Sequence, residues 1–333
     1  MSDRIDGILM LSGGLDSIVT AHILKSQGLN ILALHYILPF YSGLGLAHAG
    51  IRSYADELGI PLRIIEEGED FFVMVQSPRF GFGKNANPCM DCRIHRLAAA
   101  RLIMEETGAS FIATGEVVGQ RPKSQRLDCL QQIENRAGLA GRLLRPLSAL
   151  LLEPTLAEQS GLVDRGRLMG LSGRSRQPQL SYAREHGLRH NSPAGGCLLT
   201  AVGSAKRYLS LVKRYPDFSF EDFRLIAFGR HFPLNDRCRL VIARDDGEND
   251  IFEKIISRED IIFDLADIPG PMGIGRGDFS EGDVHTAAAM VARYSRARAM
   301  TSVRVKVYRL NDPGRIIDVA PADPSYCESV RLQ

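Results

Sequence analysis

Three groups of residues have the types and spacing for chemistry. The first is Ser12-Gly13-Gly14-Leu15-Asp16-Ser17, the second Cys89-Met90-Asp91-Cys92, and the third the lone Cys197 after Gly195-Gly196. In the first, two glycines let the backbone approach an anion closely, and the Ser12 and Ser17 hydroxyls can donate to its oxygens. Asp16 would oppose a bare phosphate, so it implies either Mg²⁺ or a role in holding the loop, and the expected ligand is a metal-bound pyrophosphate. No Gly-Lys-Ser/Thr closes the loop, which excludes the Walker pattern. A glycine turn that only reverses the chain is the plain alternative. The cysteines admit three readings: an iron–sulfur cluster on three thiolates, a zinc site completed by His95 or His190, or a persulfide carrier with a resolving thiol. Cys129, Cys238 and Cys327 lack such context and read as ordinary thiols.

Positioning an anion on the first group requires a helix N-terminus. Ile8-Leu9-Met10 precedes the loop, and Ile18, Val19, Ile23 and Leu24 follow it at helical spacing, so the chain reads strand, tight turn, helix. First-turn N–H groups lack intrahelical partners and carry the positive end of the helix dipole. Further on, Ile31 to Tyr36 and Pro61 to Ile65 read as strands with a helix between them from Ala47 to Leu58. Phe111 to Glu116 is a fourth strand with its exit, and Arg142 to Arg145 a fifth. Such alternation predicts an α/β fold, a doubly wound parallel sheet with ligands at the carboxyl ends of its strands. By that rule His35 and Tyr36, and then Thr114 and Gly115, belong to the nucleotide site. Cys89 and Cys92 open an amphipathic helix through Leu97, Ala100, Leu102 and Ile103.

Ser-Gly-Gly-Leu-Asp-Ser directly after the first strand resembles the PP-loop of the N-type ATP pyrophosphatases, whose members adenylate a carbonyl-type oxygen and release pyrophosphate. A Gly after the fourth strand, Arg145-Pro146-Leu147 after the fifth, and a Cys-x-x-Cys with a distant third cysteine resemble the tRNA thiolation enzymes of that superfamily. The resemblance implies ATP and Mg²⁺ on Ser12, Gly13, Gly14, Asp16 and Ser17, with Arg145 as an added clamp. It also favours a [4Fe-4S] cluster on Cys89, Cys92 and Cys197 over a persulfide, and puts zinc third. The implied reaction is ATP-dependent tRNA sulfur transfer: a uridine carbonyl is adenylated, and sulfide or a persulfide carrier then replaces the oxygen and expels AMP. An ammonia-using amide ligase of the same superfamily and a non-catalytic RNA-binding adaptor are the alternatives. Three cysteines argue against the first, and the intact Ser12, Asp16 and Ser17 against the second.

The 333 residues suffice for two cores. We expect a PP-loop domain over residues 1–217, with a helical basic extension at 151–215, and a smaller α+β domain over 218–333. That tail resembles the RNA-associated NFACT-R domain in Gly229-Arg230-His231-Phe232-Pro233-Leu234, Asp246-Gly247-Glu248-Asn249, Pro269-Gly270-Pro271 and Tyr294-Ser295. Its expected elements include strands at 224–228, 239–243, 261–265, 303–310 and 316–319 and helices at 249–256 and 283–296. A net charge of +2 does not announce a nucleic-acid binder. The run from Val291 to Leu310, with Arg293, Arg296, Arg298, Arg304, Lys306 and Arg309 and no acid, is either a solvated face or a phosphate-contacting stripe. No apolar run approaches the ~18 residues of a membrane span. With no signal-peptide core and six cysteines read as thiols, the expected compartment is the cytoplasm, and a dimer is compatible with all of this.

Overall fold

The computed structural model describes residues 4–44, 48–191 and 197–332, in two compact units divided between Gly195 and Gly196. The division differs from the expected boundary at 217. Helix Val202–Arg214, assigned from sequence to the first domain's extension, packs the buried Tyr208 ring edge-on against Phe218 and Phe223 of the second unit.

The first unit runs β1 (Gly7–Met10), α1 (Leu15–Ser26), β2 (Ile31–Ile37), α2 (His48–Glu57), β3 (Leu62–Glu66), α3 (Glu69–Gln76), α4 (Cys89–Thr107), β4 (Phe111–Ala113), α5 (Leu127–Arg136), β5 (Leu143–Leu144), α6 (Leu156–Gln159) and α7 (Gln177–Glu185). Its sheet is all parallel, ordered β3-β2-β1-β4-β5. Side chains alternate across it with the strand period of two. Leu9, Ala33 and Phe111 therefore join α1, α2 and α7 on one face, while Ile8, Leu34 and Ile112 join α4 and α5 on the other. Strand order reverses between β1 and β4, so the crevice for a ligand opens where those two strands end. Between 151 and 191 the expected helical extension is mostly loop, with α6 and α7 its only α-helices.

The second unit contains α8 (Val202–Arg214), α9 (Phe220–Leu225), β6 (Arg230–Pro233), β7 (Cys238–Ile242), α10 (Asp246–Ile255), β8 (Ile261–Leu265), β9 (Gly273–Gly277), α11 (Glu281–Arg293), β10 (Val303–Tyr308), β11 (Arg315–Val319) and α12 (Pro324–Val330). The sheet is antiparallel, in the order β11-β10-β8-β9-β7-β6. Its core packs α11 against Leu240, Phe263, Val305 and their neighbours. The expected strand at 224–228 is instead the end of α9 and its exit. Ser219 and Asp222 form a reciprocal capping box that starts this helix and outweighs the β-like composition. Strands β6 and β9 went unanticipated, and Gly273, Gly275 and Gly277 explain β9: they remove the apolar alternation by which a strand is recognised. Among the described residues no helix is long and apolar enough to cross a membrane.

Candidate active site

The loop between β1 and α1 turns on Gly13, whose φ of +77° places it in the left-handed region open to glycine. Gly14 caps α1, accepting from Ser17 N at 3.0 Å and Ile18 N at 3.1 Å. The Ser17 hydroxyl bonds the Gly14 carbonyl at 2.8 Å and takes a bond from the Ser12 hydroxyl at 3.2 Å, so both hydroxyls lie on the inside of the turn. Asn191 braces the loop: its N–H reaches Gly13 O at 3.4 Å, and its side chain accepts from Tyr54 OH at 2.9 Å.

Where β4 ends, the chain passes directly against the first turn of α1. A Cβ at Gly115 would stand 2.7 Å from the Asp16 carbonyl carbon and 2.8 Å from Ser17 N, which only glycine avoids. The two strand ends enclose a cavity of about 430 Å³, lined by Ser12, Gly14, Leu15, Asp16 and Ser17, by Thr114, Gly115 and Glu116, and by Arg93, Arg96, Arg121 and Arg176. Four guanidiniums and a helix N-terminus on this lining favour an anion, against the carboxylates of Asp16 and Glu116.

Asp16 is held from two sides. Gln120 Nε2 donates to one carboxylate oxygen and Gln179 Nε2 to the other, each at 3.2 Å, and Arg176 Nε stands 4.0 Å away. These contacts hold the Asp16 carboxylate at the wall of the cavity. The donor set thus fits one acidic ligand for Mg²⁺.

Arg93 and Arg96 project from α4 and are braced by acids. Glu116 bonds Arg93 NH1 at 2.8 Å and Arg145 Nε at 3.1 Å. Burial pushes the Glu116 carboxyl up, but Arg93 and Arg145 together outweigh it and hold the group below the usual carboxylate range. Glu67 holds Arg96 through its Nε at 2.8 Å. The Tyr36 ring supports the same guanidinium 5.6 Å from its centroid, and burial pushes the Tyr36 phenol up to about 12.

Thr114 and Gly115 line the cavity with Ser12, Gly14, Asp16 and Ser17, whereas Gly13, His35, Tyr36 and Arg145 do not. His35 Nδ1 bonds the Leu11 carbonyl at 2.8 Å and so fixes the entry to the loop, and Tyr36 works through Arg96. Arg145 is buried, giving its guanidinium to Glu116, to Glu134 at 2.8 Å and to Leu130 O at 3.1 Å. In this position it braces Glu116 and stands outside the cavity lining, where a phosphate clamp was expected. Sequence reading missed Arg93, Arg96, Gln120, Arg176 and Gln179. Polar, basic runs at 119–125 and 173–176 were the only signal for Gln120 and Arg176, and nothing marked Arg93, Arg96 or Gln179.

Cys89 and Cys92 are half-buried in the first turn of α4, on the stripe that continues to Arg93 and Arg96. At 1.5 Å per residue the pair lies within roughly 10 Å of Arg96 along the helix axis. Cys197 belongs to the second unit, and the 192–196 segment before it, with its two glycines, lies outside the described residues. Among the described residues no group of three His, Cys, Asp or Glu side chains that could hold a metal is found.

Residues 7–137 match the family model of the tRNA methyl transferase HUP domain, and residues 229–329 that of the NFACT protein RNA binding domain. The two matches lie in separate stretches of the chain, one in each compact unit. Relatives of the HUP segment include the tRNA-specific 2-thiouridylase MnmA of Sulfurimonas denitrificans, 35% identical over 123 residues, which are 35% of this chain and 36% of that protein. The enzyme of the same name from Trichlorobacter lovleyi is 34% identical over 136 residues, covering 38% of each. The chain thus spans little more than a third of the length of the curated relatives it matches. Among solved structures, the U34-tRNA thiolase NcsA of Methanococcus maripaludis with its [4Fe-4S] cluster is 16% identical over 68% of this chain and 72% of its own, with a TM-score of 0.34. That likeness is too low to bear on chemistry.

Proposed function

We propose that the chain is an ATP-dependent tRNA sulfurtransferase acting on a uridine carbonyl. The observation that carries this reading is the cavity at the β1/β4 switch point, where the α1 N-terminus, Asp16 and four arginines face one another. It suits a nucleoside triphosphate, and the thiouridylase names of the HUP relatives supply the acceptor.

Ser12, Ser17 and the first-turn N–H groups bind the phosphates, with Arg121 and Arg176 neutralising charge that develops on the leaving pyrophosphate. Mg²⁺, held by Asp16, would supply further neutralisation of that charge. The carbonyl oxygen of the base attacks the α-phosphorus, pyrophosphate departs, and an oxygen that leaves poorly becomes part of AMP. Sulfur then arrives as a persulfide on Cys89 or Cys92. Its terminal sulfur attacks the adenylated carbon and AMP leaves with the oxygen. The other cysteine attacks the inner sulfur, so that a disulfide forms and the thiocarbonyl is released, and an external thiol reduces the disulfide before the next turnover. In the cluster alternative Cys197 is the ligand that would complete a [4Fe-4S] site with Cys89 and Cys92. A persulfide or sulfide carrier is the donor, tRNA the partner and the cytoplasm the compartment.

The test combines purified protein, ATP, a tRNA transcript and a persulfide donor. The expected result is tRNA-dependent release of AMP and pyrophosphate in equal amounts, with thiouridine found by nucleoside mass spectrometry. Pyrophosphate release with no thiolated nucleoside, in vitro or missing from a deletion strain, would refute it.

A further inference from the structure

Four stretches of the NFACT-R domain that lie far apart in sequence meet in the second unit. Glu248 accepts from Gly229 N at 3.1 Å, from Arg244 N at 2.7 Å and from the Arg244 guanidinium. Asn249 donates to Gly270 O at 3.0 Å and accepts from Met272 N at 2.9 Å. The Arg230 guanidinium stands 5.0 Å from the Tyr294 ring centroid. Glu248 and Asn249 thereby tie the turn before β6, the start of α10 and the loop before β9 into one scaffold.

Guanidiniums surround that scaffold. Arg207 comes from α8, Arg230 from β6, Arg244 from the turn before α10, and Arg331 from the chain after α12, which Leu332 N seats beside β6 through a 2.9 Å bond to His231 O. Arg244 pairs with Glu248, and Arg331 with Glu328 at 3.3 Å. Among the described residues Arg207 and Arg230 form no ion pair. Arg207 gives NH1 to Ile226 O at 3.0 Å and Arg230 gives NH1 to Ala243 O at 2.7 Å, and the buried Arg207 Nε has no partner. Burial, then Arg244 for Arg207 and Arg331 for Arg230, shift both guanidiniums below their usual pKa. Four cations against three carboxylates, Glu248, Glu328 and Asp245, leave positive charge that a bound anion would offset.

The basic run at 291–310 is a weaker candidate. Strand β10 buries Val303, Val305 and Val307 against α11, which sends Arg304 and Lys306 to the opposite side of the sheet from Arg293. Arg304 is paired with Asp267 at 3.1 Å, and Arg309 is spent on the Glu259 carbonyl.

We propose that the RNA backbone docks on the cluster of Arg207, Arg230, Arg244 and Arg331, through phosphodiesters on Arg207 and Arg230, and not along 291–310. This rests on the reading that tRNA is the partner. The test measures binding of a tRNA transcript to the full chain across a salt series, for the wild type, Arg207→Gln with Arg230→Gln, and Arg207→Lys with Arg230→Lys. The glutamine pair should weaken binding and make the log–log salt slope shallower by about 0.7–0.9 per arginine. The lysine pair, which keeps the charges, should retain the slope and so excludes a folding defect. An unchanged slope in the glutamine pair, with the loss appearing instead in Arg304→Gln with Lys306→Gln, overturns the proposal. Loss of binding to phosphatidylserine vesicles with RNA binding intact assigns the cluster to lipid and overturns it too. Wild-type protein that leaves the transcript unbound overturns the underlying tRNA reading.

Discussion

Gly115 lies so close to Asp16 that a Cβ on the first would stand 2.7 Å from the carbonyl carbon of the second. The obstacle is helix backbone, which cannot swing aside as a side chain can. Gly115→Ala should therefore move the β4 exit away from α1, costing about 1–3 kcal/mol of stability and most of the ATP-dependent activity. Urea unfolding together with a pyrophosphate assay checks both. Full activity at wild-type stability would show that the contact can relax.

Asp16→Asn should fold as the wild type does, because Gln120 and Gln179 can reorient their amides toward the new side chain. It removes the negative charge from the cavity, so Mg²⁺-dependent pyrophosphate release should fall by on the order of 10²-fold or more. Normal release by the folded variant would leave Asp16 with a purely structural role.

The Glu116 carboxyl bears on acid stability. Burial raises its pKa, the charges of Arg93 and Arg145 more than reverse this, and the folded-state value lies below the unfolded one. A depressed carboxylate contributes stability that is fully present above its unfolded pKa of roughly 4.3 and is lost as pH falls through the folded value. Glu116→Gln should accordingly destabilise the protein at neutral pH and flatten the acid limb of its stability profile. Denaturant midpoints from pH 3 to 7 measure the effect, and parallel curves for variant and wild type would count against it.

Arg145→Met should cost about 3–5 kcal/mol, because it strands Glu116 and Glu134 without their buried partner. A phosphate clamp would instead lose ATP affinity with little change in stability. Nucleotide titration beside thermal unfolding separates the two.

Cys89→Ala and Cys92→Ala should each lose thiolation on either route and Cys197→Ala only on the cluster route, whereas Cys238→Ala and Cys327→Ala should keep it. Cys238 and Cys327 are buried, and burial pushes the Cys238 thiol up to about 11, which leaves almost no thiolate at neutral pH. Iron analysis distinguishes the sulfur carriers. A three-thiolate cluster predicts about four irons per chain, and the persulfide route predicts full thiolation by iron-free protein.

The loop between β1 and α1, which we propose binds the nucleotide, was legible in the chain because its features are local. Six consecutive residues supply the turn, the hydroxyls and the acid, and an apolar strand and helix of ordinary periodicity flank them. The alternation of strands with helices likewise determined the parallel sheet of the first unit. What reaches the loop from elsewhere was not legible. Arg93, Gln120, Arg176 and Gln179 come from α4, the chain after β4 and the start of α7, and sequence spacing carries no record of a meeting set by strand order. The same holds for Arg145: an arginine after a strand is equally suited to phosphate or to Glu116, and only packing decided for Glu116. In the second unit the basic run at 291–310 is continuous in the chain but divided in space, since β10 packs its valines on α11 and so turns Arg304 and Lys306 to the face away from Arg293. The arginines at 207, 230, 244 and 331 are scattered in the chain, and the tertiary fold gathers them around Glu248.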